Sequence, residues 1–473
     1  LASVEVNFDG ITYAKGASVL KQLVAYVGRE PFRDGLRAYF AKHAWGNTTL
    51  ADLLVELEAT SGRDLGSWSQ LWLQTAGVNT LTPEIEVTDG VIASAAIVQT
   101  APDGFPTLRP HRLAVGLYNT QGEALVRTHR IELDVDGERT AVPDLIGQPR
   151  PDLLLVNDDD LAYAKIRLDP PSLATALANP RALSDSLPRA MVLGAAWDMT
   201  RDAQMPASDY VHLALRALDG ETDSTLLRML LMQLSSAALT YSAPAHRAGL
   251  TVSVSEGLRA AALGAKPGSD AQLQLVGAWA SFASSQADVA AVRGVFDGST
   301  PIDGLTVDQD MRWTLLTALA SAGDADEAEV EAERSADNTA TGREKAARAL
   351  AARPTPQAKE AAWVAAMEGT SLPNAVISAT ALGFGRAHDT SLLQPYVARY
   401  IEAIEGVWAS RTHAIAGALA TGFFPMAVAD QGLLNATQKW LDEHPDVPNG
   451  LRRTVSENRD SVARALTAQA ADV

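Results

Sequence analysis

Residues 8–20, Phe8-Asp9-Gly10-Ile11-Thr12-Tyr13-Ala14-Lys15-Gly16-Ala17-Ser18-Val19-Leu20, bring an acid, a phenol and an ammonium into one short segment. A phenol keeps its proton at neutral pH and is held by a rigid ring, so Tyr13 can donate a hydrogen bond to an oxyanion. A helix tyrosine more often packs its ring and exposes a polar tip, so the residue alone assigns no chemistry. Metal chemistry finds no support in the rest of the chain. The histidines are His43, His111, His129, His212, His246, His388, His413 and His444, and no two stand four apart. A helix-borne HExxH site needs two imidazoles one turn apart with a glutamate between them as general base. The chain has no cysteine, which removes soft tetrahedral sites as well. No G-x-S-x-G elbow, phosphate loop or dinucleotide glycine fingerprint occurs. Metal ligands on this chain: none are expected.

Several elements must position the phenol. Ile11, Ala14, Val19, Leu20, Leu23, Val24 and Val27 recur at helical spacing, and Gly28 follows as a C-cap. Pro31 suits the first turn of a second helix running to about His43. Thr48 or Thr49 caps a third through Glu58, and Asp64 opens a fourth through Leu73. Asp9 is expected to cap the first helix, and Lys15 to pair with an acid.

After Pro83 the period changes. Apolar residues alternate in short segments from Ile85 to Ile166, broken by Asp89-Gly90, Asp103-Gly104, Gln121-Gly122 and Asp136-Gly137. This predicts a small antiparallel β-sandwich over 81–169. Asp158-Asp159-Asp160 reads as a charged hairpin tip, because the loop lacks the glutamate and glycine spacing of a calcium site. From Pro170-Pro171 onward helix follows helix, clearly at 183–203, 207–218, 224–242, 271–284, 308–322, 356–368, 392–405, 430–444 and 448–470. That succession predicts an α-solenoid of HEAT-like pairs over 170–473. The expected fold is multidomain and mainly α.

The segment around Tyr13 resembles the catalytic-tyrosine segment of the aminopeptidase N family, zinc-dependent gluzincins that remove N-terminal residues from peptides. Gly62-Arg63-Asp64-Leu65 through Trp68, Trp72 and Gly77 resembles the closing helix of the family's catalytic domain, although Val78-Asn79 stand where proline is common. Leu154 to Lys165 resembles the last hairpin of its third domain, and Asp310-Met311-Arg312-Trp313 a recurring element of its helical domain. The resemblance implies that 1–80 is the helical end of a thermolysin-like catalytic domain and that the C-terminal domain closes over the catalytic face. It implies zinc and a glutamate base in the parent enzyme, water attack on the first peptide carbonyl, and Tyr13 stabilising the oxyanion. The chain would lack the N-terminal catalytic half and be inactive alone. Implied partners are that missing half and peptide substrates, with a monomer expected.

A net charge of -18 argues against nucleic acid and anionic membrane surfaces. No run of about 18 apolar residues predicts a spanning helix. Residues 1–80 hold seven basic and eight acidic groups, so most of the acidity lies further on. The run Asp324, Asp326, Glu327, Glu329, Glu331 and Glu333 reads as a solvated helix, or as the lining of an acidic chamber. Arg312 is expected in a salt bridge within the helical region. Absence of cysteine fits a reducing cytoplasm. The alternative function is a noncatalytic α-solenoid that binds a peptide or protein on its concave face.

Overall fold

Turn and cap chemistry sets the ends of the first helices. In the computed structural model, which describes residues 11–473 and their side chains from Tyr13 onward, a π-helical turn at Ile11–Lys15 runs into the helix Gly16–Val27. Gly28 ends it with φ 90°, a backbone angle that few other residues adopt, and its N–H bonds the Val24 carbonyl at 3.0 Å. The next helix, Arg29–Lys42, carries Pro31 in its first turn. Thr49 and Asp52 form a reciprocal capping box on Leu50–Ser61, and the Asp64 carboxylate accepts from the Ser67 N–H to start Leu65–Leu73. Val19, Leu23, Val27, Leu54, Leu57, Leu65, Trp68 and Trp72 are the buried core of this group. Asp9 lies outside the described residues.

Seven strands follow in two small sheets. One has the order β5-β2-β1-β7 and the other β4-β3-β6. The strands are β1 Thr80–Thr88, β2 Val91–Thr100, β3 His111–Gln121, β4 Ala124–Val135, β5 Arg139–Ala141, β6 Leu153–Asp158 and β7 Lys165–Ile166. The dipeptide at Asp89-Gly90 has φ of 51° and 79°, the twist that a two-residue hairpin needs. One pairing departs from the antiparallel expectation. β7 lies parallel to β1, with Thr80 opposite Lys165 and Leu81 opposite Ile166. Two residues of returning chain carry too little periodicity to show their direction.

The first helices and the sheets are joined by Arg109, which is 2% exposed. Its guanidinium donates to the carbonyls of Leu71 and Ala76 and to the Thr75 hydroxyl at 2.9, 2.7 and 2.7 Å, at the C-terminal end of the Leu65–Leu73 helix. Next to it His111 is fully buried, with Nε2 3.0 Å from the Gln99 amide oxygen. Burial, with the Arg109 charge, pushes the His111 pKa down to about 3. A histidine depressed in this way binds its proton more readily in the unfolded chain. Its contribution to stability is therefore complete above the unfolded value of 6.5 and falls as pH drops toward 3. We expect roughly 1.4 kcal/mol of stability lost per pH unit over that window. Urea unfolding at pH 7, 6 and 5 checks this, since His111→Gln should flatten the slope; equal slopes would remove His111 from the acid response.

The chain divides into two compact units, Leu1–Met199 and Thr200–Val473. Helices fill the second. The spans expected at 224–242 and 356–368 each form as an α-helix ending in a π turn, at Ala237–Tyr241 and Val364–Glu368. The helices Asp270–Phe282, Gln309–Ala322, Ala340–Ala352, Asn374–Phe384 and His413–Gly422 stack each on the next of that series. Two cations gather the C-terminal ends of four of them. Arg386 donates to the Ser281 carbonyl at 2.9 Å and to the Ser321 hydroxyl at 3.1 Å, and Lys359 donates to carbonyls of the other two. Trp279, Trp313, Trp363 and Trp440 are buried core residues.

Candidate active site

Tyr13 sits at the center of the π turn, 70% exposed at the head of a helix whose other face is core. A π turn inserts one residue into the helical ladder, and such insertions occur frequently at functional sites. Leu20, Phe40, Trp45, Leu50, Val55 and Leu73 are also exposed, so the first helical group shows an unusual share of large apolar side chains to its surroundings.

The far end of the first unit's second sheet holds the tyrosine helix. Lys21 pairs with Asp160 at 2.8 Å. Gln22 is fully buried, and its side-chain oxygen accepts the Tyr163 N–H at 2.8 Å. Lys15, expected opposite an acid, instead lies 5.9 Å from the center of the Tyr163 ring, where the ring face attracts the ammonium. The three aspartates are likewise more than a hairpin tip. Asp158 is buried and accepts from Tyr118 and Arg127 at 2.9 and 2.8 Å. Burial and that carboxylate push the Tyr118 phenol up. Burial works against the Asp159 charge, but Arg130 and Arg127 hold its pKa below the usual range.

Among the described residues no group of three or more histidine, aspartate or glutamate side chains is placed to hold a metal. The described side chains therefore offer no ligand set that fits zinc.

In the second unit the acidic run is mostly an ion-pair belt. Arg293 binds Asp324 at 2.9 Å and also Glu329, Arg353 binds Glu327 at 3.0 Å, and Arg334 binds Glu331 at 2.6 Å. Arg312 pairs with Glu333 at 2.7 Å, and Trp313 donates to Asp337 at 2.8 Å. The Asp310-to-Trp313 element is thus a packing and pairing device. Spacing showed the acids and the local Glu331–Arg334 pair; Arg293, Arg312 and Arg353 lie outside that helix and had no signal in the local sequence. The same holds for Gln22, Asp160 and Tyr163.

Residues 2–74 match the peptidase family M1 domain, and residues 153–464 match the ERAP1-like C-terminal domain. The chain is 49% identical along its whole length to aminopeptidase N of Streptomyces lividans, of which it covers 56%. A stretch of 93 residues, 19% of the chain and 11% of the relative, is 40% identical to aminopeptidase N of Lactococcus lactis subsp. lactis. The fold is similar to that of Legionella pneumophila aminopeptidase A, solved in complex with aspartic acid, with TM-score 0.62 and 13% identity over 96% of this chain and 57% of that one. The chain thus spans about half the length of the relatives it matches throughout. Since the C-terminal-domain match alone covers more than half of the sequence, the chain belongs to the M1 aminopeptidase family.

Proposed function

We propose that this chain is the C-terminal portion of a zinc aminopeptidase that removes residues from peptide N-termini, and that Tyr13 is its catalytic contribution. The observation that carries the reading is the exposed phenol on a π turn at the head of an anchored helix, within the segment that matches the M1 domain. A protonated phenol there donates to the oxyanion that forms when the first peptide carbonyl is attacked. The metal that such an enzyme uses polarises the carbonyl and activates water; no described residue of this chain fits it. Exposed apolar residues on the first helical group support a further half-domain docking there.

In this reading 1–80 ends the catalytic domain, 81–169 is the sandwich, and 170–473 is a solenoid of HEAT-like pairs, which the stacked helix series supports. The protein would be a cytoplasmic monomer acting on peptides, without nucleic-acid or membrane partners. No helix among the described residues is long and apolar enough to cross a membrane.

The test compares the chain alone with the chain continued upstream by an HExxH-bearing half. Alone it should hold no stoichiometric zinc and cleave no aminoacyl arylamide; joined, it should do both, and lose activity to a chelator. A tight zinc with chelator-sensitive activity on the chain alone would defeat the proposal. So would a folded, zinc-loaded joined form without activity, which would favor a binding module.

A further inference from the structure

A loop on the sheet module grips the tyrosine helix at Lys15, Lys21 and Gln22, and its own backbone is cross-linked by hydrogen bonds. Within Asn157-Asp158-Asp159-Asp160, three residues take left-handed backbone angles, with φ of 62°, 71° and 54° at Asn157, Asp159 and Asp160. Asparagine and aspartate tolerate that region better than other side chains, which explains why the run has this composition. The strained conformation is locked from both sides. The Asn157 amide bonds the Ala162 carbonyl and N–H at 2.9 and 2.8 Å, closing the loop on itself. Asp158 is anchored beneath by Tyr118 and Arg127, at a point where Gly116 leaves room: a Cβ there would come within 2.3 Å of the carboxylate. What this rigid loop presents outward is Asp160 to Lys21, the Tyr163 N–H to Gln22, and the Tyr163 ring to Lys15. Left-handed strain of this kind persists only where the surroundings over-determine it, as at functional sites.

We propose that the 157–163 loop positions Tyr13: Gln22, Asp160 and Tyr163 are positioning residues that fix the height and rotation of the tyrosine helix, so that the phenol is pre-set where the oxyanion develops. This rests on the reading that Tyr13 serves the oxyanion. A surface ion pair such as Lys21–Asp160 contributes little to stability, so its value here is geometric. Misplacement by about 1 Å can cost on the order of 10²-fold in rate, so a partial loosening should cost about tenfold.

The experiment is a double-mutant cycle in the zinc-loaded, joined enzyme. Gln22→Leu should lower kcat about tenfold with KM and zinc content unchanged, and should lower it less than twofold in a Tyr13→Phe background. Asp160→Asn, which removes the charge at a half-buried position yet tolerates the left-handed backbone angle, supplies the second variant: amide exchange in residues 11–24 should accelerate several-fold while the sheet strands keep their protection. If Tyr13→Phe itself leaves kcat intact, the functional reading underneath has failed. If Tyr13→Phe has its full effect but Gln22→Leu costs the same in both backgrounds or nothing, or if Asp160→Asn leaves exchange unchanged, the loop is not a positioning device.

Discussion

Tyr13→Phe in the joined, zinc-loaded enzyme should reduce kcat by about 10²–10³, equivalent to roughly 3–4 kcal/mol, and leave KM within a few fold. The reason is differential binding. A ground-state carbonyl gains little from the phenol, whereas the oxyanion gains a charge-assisted hydrogen bond that strengthens as the charge develops. Phenylalanine keeps the ring, and at a position 70% exposed the loss of a hydroxyl should leave folding unchanged. Steady-state kinetics, zinc content and a thermal melt on both proteins check this together. A kcat near wild type would remove Tyr13 from the mechanism. A lowered melting temperature with intact turnover would make it a packing residue.

Lys359→Met should cost the second unit about 3–5 kcal/mol, the largest stability loss we expect from a single substitution. Lys359 is fully buried, and the three N–H groups of its ammonium are shared among four carbonyls, of Ala351, Gly383, Phe384 and Arg386, at 2.8, 3.2, 3.0 and 2.9 Å. Burial, with the Arg386 charge, pushes its pKa down to about 7, while the carbonyl oxygens favor the charged form. These carbonyls belong to the last turns of Ala340–Ala352 and Asn374–Phe384 and the residues that follow, where an ending helix supplies no further N–H; of the four, Gly383 also accepts the Arg386 N–H at 3.1 Å. The two helices meet so closely at Gly383 that a Cβ would lie 2.1 Å from the Arg348 carbonyl, so these helix ends cannot swing out to water. Methionine preserves the stem and its packing but withdraws the donor, and each carbonyl left unpaired costs about 1–3 kcal/mol, less the relief of no longer burying a charge. Urea unfolding of the whole chain measures it. A change under about 1 kcal/mol would show that the helix ends are satisfied without the ammonium.

Local information was legible in the sequence wherever a short-range rule governs the outcome. Cap residues placed the starts of Leu50–Ser61 and Leu65–Leu73, and Gly28 placed the end of the first helix, because a helix terminus is satisfied by residues within one turn of it. The period change near Pro83 separated helices from strands for the same reason, since side-chain direction repeats every 3.6 or 2 residues. The motif around Tyr13 was visible as a contiguous string, and with it the family. What the tertiary structure alone decided are the pairings over long sequence distance. Lys21 with Asp160 and Gln22 with Tyr163 span 139 and 141 residues, and Arg386 reaches back 105 to Ser281. No local periodicity encodes such partners. A carboxylate, an amide or a guanidinium reads as surface polarity until the fold shows which opposite group it meets, and that is why the aspartate run and the buried lysine gained their meaning only once the chain was folded.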